Sequence, residues 1–353
     1  MFTNTIMSFH LRIQLLSMVL FLLLIGGGFP LQAQFQDHDP DYFSPQSTDA
    51  IIQQGIQMIQ DGKNSVLHDS PRLPLLVSWF NHHPFIDYAT CIQNSITVKF
   101  LDGSSVVLLD PFDISEDCDR NLLSPLFHEM YTGSSNKTAV VLNPAESMYG
   151  HHHCQRIISI LLNRDYSIEY LANQAVDVSY IKNNLSASII YMNTHAGYFD
   201  VDGDSQADAV VIATGEHWTN ETETQYTYEI ENHLIVKGMV GDQGFVAFTP
   251  AFIEHYYMEK QFPDSLVYMA TCYALYDDSM AEKFLDAGAS VYIGWSQNTV
   301  FWANSRTSIR AFRLFSYGFT VDQVCRFIRS GGFYNWLFHS TLTYQGDGTY
   351  RIP

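Results

Sequence analysis

The chain has 353 residues, which is enough for one large domain or two modest ones. Hydrophobic residues make up 46% of it and aromatic residues 14%, so a substantial core can form. The 18 Lys and Arg residues are outnumbered by 37 Asp and Glu residues, and the net charge of −19 argues against nucleic acid or an anionic membrane surface as a partner. The same charge is compatible with metal cations and basic substrates.

The first residues have the pattern of a secretory signal peptide. His10 and Arg12 precede an apolar run over 15–25, and small residues lead to a cleavage position after Ala33. The alternative is an uncleaved membrane anchor, but the run is short for a span, which needs about 20 apolar residues. We therefore predict that residues 1–33 are removed and that the mature protein is secreted or periplasmic, without membrane contact.

The chain contains 5 cysteines, and an odd number in an exported protein leaves at least one thiol outside a disulfide. No CxxC pair is present, so the spacing matches no zinc-site pattern. If Cys272 stays a thiol, the others can form two disulfides whose pairing remains open: Cys91, Cys118, Cys154 and Cys325.

Residues 34–137 are predicted to form an N-terminal accessory domain or pro-region. A helix is predicted over 47–63, because apolar residues recur there at helical spacing after a Ser-Thr cap. Two β-rich runs around "DGSS", 102–105, predict a hairpin. The polar stretch "TGSSNK", 132–137, is predicted to be a linker.

Strands alternate with helices after that linker. The predicted strands are "TAVVLNP" (138–144), "YSIEYL" (166–171), "SASIIYMNT" (186–194), "SLVYMAT" (265–271) and "SVYIGWS" (290–296). Several are continuous apolar runs, which is typical of a parallel sheet covered on both faces. The predicted fold class is α/β: a mostly parallel sheet flanked by helices over 138–353, with a smaller α/β region before it. The segment 218–250 is predicted to form a lid or a small β excursion.

Two of these strands are followed by residues with catalytic chemistry, His195 and Cys272. Ligands bind beyond the carboxyl ends of strands in an open α/β sheet, so adjacent strands would bring both side chains into one crevice. A nearby imidazole can take the proton of a thiol and so activate it as a nucleophile. The backbone N–H groups of Gly197 and Cys272 are predicted to hold the oxyanion. The alternative is a buried structural cysteine and a structural histidine.

From 138 to 353 the chain resembles the caspase/hemoglobinase fold of the clan CD cysteine peptidases, nearest to the gingipain-like branch. The order is similar: strand, helix, strand, helix, strand with histidine, strand with cysteine. "MAEKFLDAGASVYIGWSQNT", 280–299, looks like the family's helix and strand after the cysteine, and "TLTYQGDGTY", 341–350, is similar to its closing segment. The resemblance implies a caspase-like three-layer sandwich.

The same resemblance implies the roles of the site residues. It makes His195 the base and Cys272 the nucleophile, and it makes the strand end at Trp295, Ser296 and Gln297 a wall of the specificity pocket. Asn193 or a backbone carbonyl is the candidate that would orient the histidine.

The preferred hypothesis is an exported cysteine endopeptidase that cleaves a peptide or protein substrate through a thioester acyl-enzyme, without an organic cofactor. A second hypothesis is a non-catalytic binding or scaffolding protein on the same fold, favoured by Ala196 and Tyr273, where the family has other residues. A third is a metal-dependent hydrolase that uses an aspartate or histidine cluster.

An acidic loop, "DVDGDSQAD", follows His195 closely and carries the predicted ligands Asp200, Asp202, Asp204 and Asp208. Carboxylates on a glycine-containing loop suit calcium, which takes six to eight oxygen ligands and is plentiful outside the cell. The spacing is not that of an EF-hand. The alternatives are a solvated acidic turn and a surface that attracts a basic substrate side chain.

Two further polar stretches have open interpretations. Glu216, in "TGEHW", either contacts substrate as part of the pocket or caps a turn. The run "HHHC", 151–154, suggests a metal, but adjacent helical residues point in different directions, which favours local structure or pocket lining.

Overall fold

The strands form two seven-stranded sheets, which we name sheet A and sheet B. The structure is a computed structural model, and it describes residues 48–61, 72–110, 127–133, 136–257, 262, 264–330 and 340–353. These residues belong to one unit, Thr48–Pro353. The predicted signal peptide and Cys118 lie outside the described residues.

The strands are numbered in chain order. They are β1 (Ile86–Ile92), β2 (Ser95–Phe100), β3 (Ser105–Asp110), β4 (Phe127–Tyr131), β5 (Thr138–Asn143), β6 (Ser167–Ala172), β7 (Ile189–Asn193), β8 (Ala196–Phe199), β9 (Ala209–His217), β10 (Ile235–Val240), β11 (Gln243–Phe248), β12 (Leu266–Ala270), β13 (Val291–Trp295) and β14 (Leu342–Gly346).

The helices are numbered in the same way. They are α1 (Thr48–Asp61), α2 (Arg72–Asn81), α3 (Glu146–Tyr149), α4 (His152–Leu162), α5 (Val178–Asn183), α6 (Asn220–Gln225), α7 (Thr227–Glu231), α8 (Pro250–Tyr256), α9 (Ser279–Asp286), α10 (Phe301–Ser316) and α11 (Val321–Ser330). None of the described helices combines the length and apolar character that crossing a membrane requires.

Sheet B has the order β14-β13-β12-β7-β5-β6-β4. The strands between its edges are parallel, and the edge strands β14 and β4 run antiparallel to their neighbours. Strands β7, β12 and β13 are buried along their whole length, because both faces of the sheet are covered. The predicted α/β class is confirmed, and the parallel arrangement holds for the centre of this sheet.

Sheet A has the order β1-β2-β3-β10-β11-β9-β8, and only its β3–β10 pair is parallel. The prediction of a mostly parallel sheet is therefore wrong for this half of the strands. The physical reason is that short links, such as the two residues between β10 and β11, can join only antiparallel neighbours. The segment predicted as a lid or a small β excursion contains the antiparallel strands β10 and β11, and β10 is fully buried.

The predicted N-terminal region contributes strands to both sheets. The predicted hairpin is confirmed as the antiparallel β2–β3 pair, and the predicted first helix is confirmed as α1. Strand β3 pairs with β10, and β4 pairs with β6. The predicted boundary between 137 and 138 thus separates strands that share sheets.

The core lies on both faces of sheet B. One face packs against α4, α10 and α11. The opposite face packs against α5, α8 and α9 and also against residues of β8, β9 and β11. The predicted sandwich of helices around a single sheet is therefore not what forms, because sheet A supplies part of one covering layer.

Candidate active site

His195 and Cys272 follow adjacent parallel strands at equal distances from their ends. Asn193 of β7 is in register with Ala270 of β12, and each candidate residue comes two positions later. The carboxyl ends of parallel strands meet at one edge of a sheet, so the two residues leave the sheet at the same edge. Both chain neighbours of His195 are buried, as are both neighbours of Cys272, whereas the two candidate residues are only half-buried.

The chain turns sharply just after Cys272. Tyr273 has a φ of 59°, in the left-handed region that non-glycine residues rarely adopt, and its N–H donates to the Gln297 carbonyl (3.2 Å). The Cys272 Sγ lies 2.9 Å from Asn298 Oδ1 and 3.2 Å from the Thr299 carbonyl oxygen, and the Thr299 N–H donates to the sulfur at 3.3 Å. The two oxygens can accept the thiol hydrogen, and the Thr299 N–H fixes the position of the sulfur.

His195 lies where the chain crosses from sheet B to sheet A. Strand β7 ends at Asn193, and β8 begins at Ala196. The Thr194 hydroxyl donates to the Ala213 carbonyl (2.7 Å), and the Ala213 N–H donates to the His195 carbonyl (2.9 Å). Strand β9 thereby fixes the backbone on both sides of the imidazole.

The imidazole contacts Tyr149, the last residue of the short helix α3. The distance between His195 Nε2 and the Tyr149 hydroxyl is 2.9 Å. Tyr149 stacks on Phe301 (centroids 4.3 Å apart, 13° between planes), and Phe301 meets His153 edge-on at 5.3 Å. No sequence motif points to Tyr149. Its signal is its place soon after β5, whose carboxyl end adjoins that of β7.

Three buried asparagines connect the strand ends below the site. Asn193 Nδ2 donates to Asn143 Oδ1 (2.8 Å), and Asn304 Nδ2 donates to Asn193 Oδ1 (3.4 Å). Asn304 Nδ2 also donates to the Ala270 carbonyl (2.8 Å). These bonds link β5, β7 and β12 to α10, so both candidate catalytic segments start from one fixed frame.

The asparagine network also accounts for two predicted site residues. Asn193, the candidate for orienting His195, uses its amide to bond Asn143 and Asn304 instead. Trp295 is 2% exposed, and its Nε1–H donates to Asn304 Oδ1 (2.9 Å). Its side chain therefore lies in the core.

Ser296 and Gln297 take different positions after β13. The Ser296 N–H donates to the Thr341 carbonyl, and its hydroxyl accepts from the Thr341 N–H, both at 3.0 Å. Gln297 accepts from the turn at Cys272, so its backbone borders the candidate nucleophile.

Gly197 lies within β8, where a side chain would not fit. A Cβ there would approach Ser95 Oγ to 2.4 Å and Leu109 Cδ2 to 2.7 Å. Close packing of β8 on β2 and β3 is therefore a sufficient reason for a glycine at this position. Its predicted role as an oxyanion donor stays a prediction.

Glu216 is a residue of β9, and its side chain reaches the first residue of α5. Its Oε2 accepts from the Val178 N–H (2.9 Å) and from the Tyr226 hydroxyl (3.2 Å). Burial raises the pKa of this carboxyl group. Of the two interpretations of Glu216, these contacts match the cap.

A mostly apolar cleft adjoins His195. It is lined by Pro144, Ala145, Met148, Thr194, His195, Ala213, Thr214, Val240 and Phe245. The cleft lies between the loop after β5 and the strands β9 to β11 of sheet A. The cleft is narrow, with room for little more than one water molecule beside the imidazole.

The acidic loop connects β8 to β9, and three of its four predicted ligands converge. Single carboxylate oxygens of Asp200, Asp202 and Asp208 lie within 4.8 Å of one another. Asp200 is fully buried and accepts from the N–H groups of Gly203 (2.7 Å) and Ser205 (3.0 Å). The fourth predicted ligand, Asp204, instead bonds Gln206 with both carboxylate oxygens.

The histidine run does not converge on one point. His151 Nδ1 lies 3.2 Å from Glu146, whereas His153 is buried and its Nε2 lies 3.2 Å from Cys154 Sγ. Burial, with the nearby His151 and His152, lowers the pKa of His153 to about 4. The run thus contributes to packing at the start of α4.

The two disulfides that the cysteine count allows do not form. Cys91, Cys154 and Cys325 are not in disulfides. Burial raises the thiol pKa of all three, to about 12 for Cys325. Cys154 and Cys325 point from α4 and α11 into the core, where they act as small apolar residues.

Comparisons with known proteins give no identification. No protein-family model matches the chain, and no curated protein matches it.

Proposed function

We propose that the protein is an exported cysteine endopeptidase in which Cys272 is the nucleophile and His195 the base. The observation that carries the proposal is the register of β7 and β12, which sends both residues out of the same edge of sheet B. Their partial exposure between buried neighbours adds support, because a merely structural pair has no need to reach solvent.

The proposed reaction has two steps. The Cys272 thiolate attacks the carbonyl carbon of the scissile peptide bond, a C–S bond forms, and the C–N bond breaks as the His195 imidazolium gives its proton to the leaving amine. Water then attacks the carbonyl carbon of the thioester while His195 takes a proton from the water, and the C–S bond breaks with the sulfur leaving as the thiolate. The products are a carboxylic acid and the regenerated thiolate–imidazolium pair.

Tyr149 has the contact needed to orient the base. With hydrogen on His195 Nε2, that N–H donates to the Tyr149 oxygen, and Nδ1 keeps the lone pair that receives the thiol proton. The stacking of Tyr149 on Phe301 holds the phenol in place. We therefore assign to Tyr149 the role of orienting the His195 imidazole, for which Asn193 was the candidate from the sequence.

Thiol labelling tests the proposal. The folded mature protein is treated with iodoacetamide at neutral pH, and modified cysteines are mapped in parallel with a His195→Ala variant. We expect Cys272 to be the first cysteine to react, and we expect its labelling rate to fall in the His195→Ala variant. Cys91 is the internal control, because it is also half-buried but has a raised pKa. Equal rates at Cys272 and Cys91, or no effect of His195→Ala, would contradict an activated dyad.

The second candidate function is a non-catalytic binding protein. The contacts of Cys272 Sγ with Asn298 and Thr299 favour it, since they also suit a structural thiol. A Cys272 that reacts no faster than Cys91 in the folded mature protein, and whose rate does not change in His195→Ala, would support this candidate.

We further propose that Asp200, Asp202 and Asp208 hold a calcium ion that stabilises the β8–β9 connection. The convergence of three carboxylate oxygens, one of them on a fully buried side chain, supports the fit to a hard cation. The test is the melting temperature with calcium, with magnesium and with chelator. We expect calcium to raise it in the parent protein and in Asp204→Asn, but not in Asp208→Asn. Equal shifts in the two variants would disprove this ligand set.

A further inference from the structure

Helix α10 carries a row of exposed basic and aromatic side chains. They follow at spacings of three and four residues: Trp302, Arg306, Arg310, Arg313 and Tyr317. At 3.6 residues per turn, these positions fall within an arc of about 80°. We call Arg306, Arg310 and Arg313 the arginine stripe.

The charge of this region is opposite to that of the chain. Residues 301–330 contain five arginines and one carboxylate, Asp322, whereas the whole chain has 18 basic and 37 acidic residues. Helix α4 packs beside α10 and adds Arg156 but no carboxylate. The high net charge of the chain already favours solubility, so solubility does not explain this positive surface.

Two of the three guanidinium groups of the stripe, those of Arg306 and Arg310, lie close to aromatic rings. Among the described residues, Arg326 of α11 pairs with Asp322 (2.9 Å), and the three stripe arginines take part in no ion pair. The Arg310 guanidinium carbon lies 4.6 Å from the Phe327 ring centroid, and that of Arg306 lies 5.7 Å from the Trp302 ring. Stacking restrains a guanidinium while its N–H groups remain able to bind carboxylates.

Helix α10, which carries the stripe, begins at the candidate active site. Thr299, two residues before α10, contacts the Cys272 sulfur, and Phe301, its first residue, stacks on Tyr149. Trp302, with 43% of its surface exposed, comes next. From Trp302 to Arg313 the helix rises by about 16 Å, so the stripe leads away from the site over that length.

We propose that the arginine stripe binds an acidic, extended segment of the polypeptide substrate next to the bond that is cleaved. This inference rests on the proposed peptidase function. Alternate side chains of an extended chain lie on one side, about 6.6 Å apart. Arg306 and Arg310 are separated by about 6 Å along the helix, so carboxylates at alternate positions match them. A long polyanion fits less well, because the acidic remainder of the protein repels it beyond the stripe.

The test measures peptide binding to the full mature chain with Cys272→Ala, so that cleavage cannot consume the ligand. The probes are a fluorescent peptide of alternating Glu and Ser and its Gln-Ser counterpart, followed by anisotropy at about 50 mM and about 300 mM salt. We expect the acidic peptide to bind more tightly than the neutral one and to weaken as salt rises. Equal binding of the two peptides would overturn the proposal.

Matched variants locate the surface. We expect Arg310→Gln to weaken binding of the acidic peptide about threefold, and the triple change Arg306→Gln, Arg310→Gln, Arg313→Gln to weaken it about 30-fold. Arg326→Gln makes the same charge change on the next helix, where the arginine already pairs with Asp322, and should leave binding unchanged. An unaffected triple variant would disprove docking on the stripe, as would stripe-dependent binding to anionic lipid vesicles without binding to the peptide.

The two proposals fail separately. Stripe-dependent peptide binding by a protein with an inert Cys272 would overturn the peptidase assignment. A reactive Cys272 in a protein that binds both peptides equally would overturn the docking surface alone.

Discussion

Sheet B and sheet A place functional residues in different ways. In sheet B, parallel strands joined through helices bring residues far apart in sequence, His195 and Cys272, to one edge. In sheet A, antiparallel strands joined by short links send successive ends to opposite edges, so the aspartates that converge there come from one loop, 200–208. Chemistry that needs distant partners therefore falls on sheet B, and a local ligand set falls on sheet A.

The largest expected effect is on peptide cleavage. Each sheet carries a half-buried cysteine, Cys272 after β12 in sheet B and Cys91 in β1 of sheet A. We expect Cys272→Ala to lower kcat/KM by about a thousandfold or more, because the acyl-enzyme cannot form, and Cys91→Ala to change it by less than about twofold. The measurement is cleavage of a mixed peptide library by both variants. Full activity of Cys272→Ala would show that Cys272 is not the nucleophile and that the two cysteines do not differ in their effect on cleavage.

A smaller effect concerns stability in acid. Because the pKa of His153 is lowered to about 4, the folded state binds fewer protons than the unfolded state below the usual value of 6.5. His153, on the side of sheet B covered by α4, thus contributes stability that is complete above about pH 6.5 and is lost as the pH falls towards 4. The loss amounts to about 3 kcal/mol. We expect His153→Gln to reduce the dependence of the urea midpoint on pH.

Glu216 in β9 of sheet A supplies the control with the opposite sign. Burial raises its pKa, so the folded state takes up a proton more readily than the unfolded state, and this contribution is lost as the pH rises. Glu216→Gln should therefore make the loss of stability in acid steeper. The same direction of change in both variants would contradict these assignments.

The third prediction compares a buried polar link in each sheet. Asn304 bonds the ends of β7 and β12, and we expect Asn304→Ala to lower the free energy of unfolding by about 2 kcal/mol, because it leaves Asn193 and the Ala270 carbonyl less satisfied. In sheet A, the Thr97 hydroxyl donates to the Tyr198 carbonyl at 3.4 Å. We expect Thr97→Val to lower the free energy of unfolding by about 1 kcal/mol.

Activity separates the two links further. Under the proposed peptidase function, Asn304→Ala should also reduce cleavage at temperatures where the protein stays folded, because it loosens both candidate catalytic segments. Thr97→Val should leave the cleavage rate unchanged at the same temperatures. Urea unfolding and cleavage assays on both variants check this, and equal losses of activity would show that the asparagine network has no special connection to the site.

Several structural features could be predicted from local patterns. The helix α1, the β2–β3 hairpin and the central strands of sheet B follow from apolar periodicity and turn residues. The placement of His195 and Cys272 after strands was also readable. Sheet A was missed because the buried strand β10 lies in a segment that looked like an insert, and a short apolar run does not reveal its partner.

The sequence by itself determined the α/β class, the strands that precede His195 and Cys272, and the acidic loop, because each depends on residues close together in the chain. Only the tertiary structure decided that Tyr149 meets His195, that three asparagines connect the strand ends, and that Trp295 lies in the core. These contacts join residues far apart in sequence. Strand order and register fix them, and one-dimensional periodicity does not specify either.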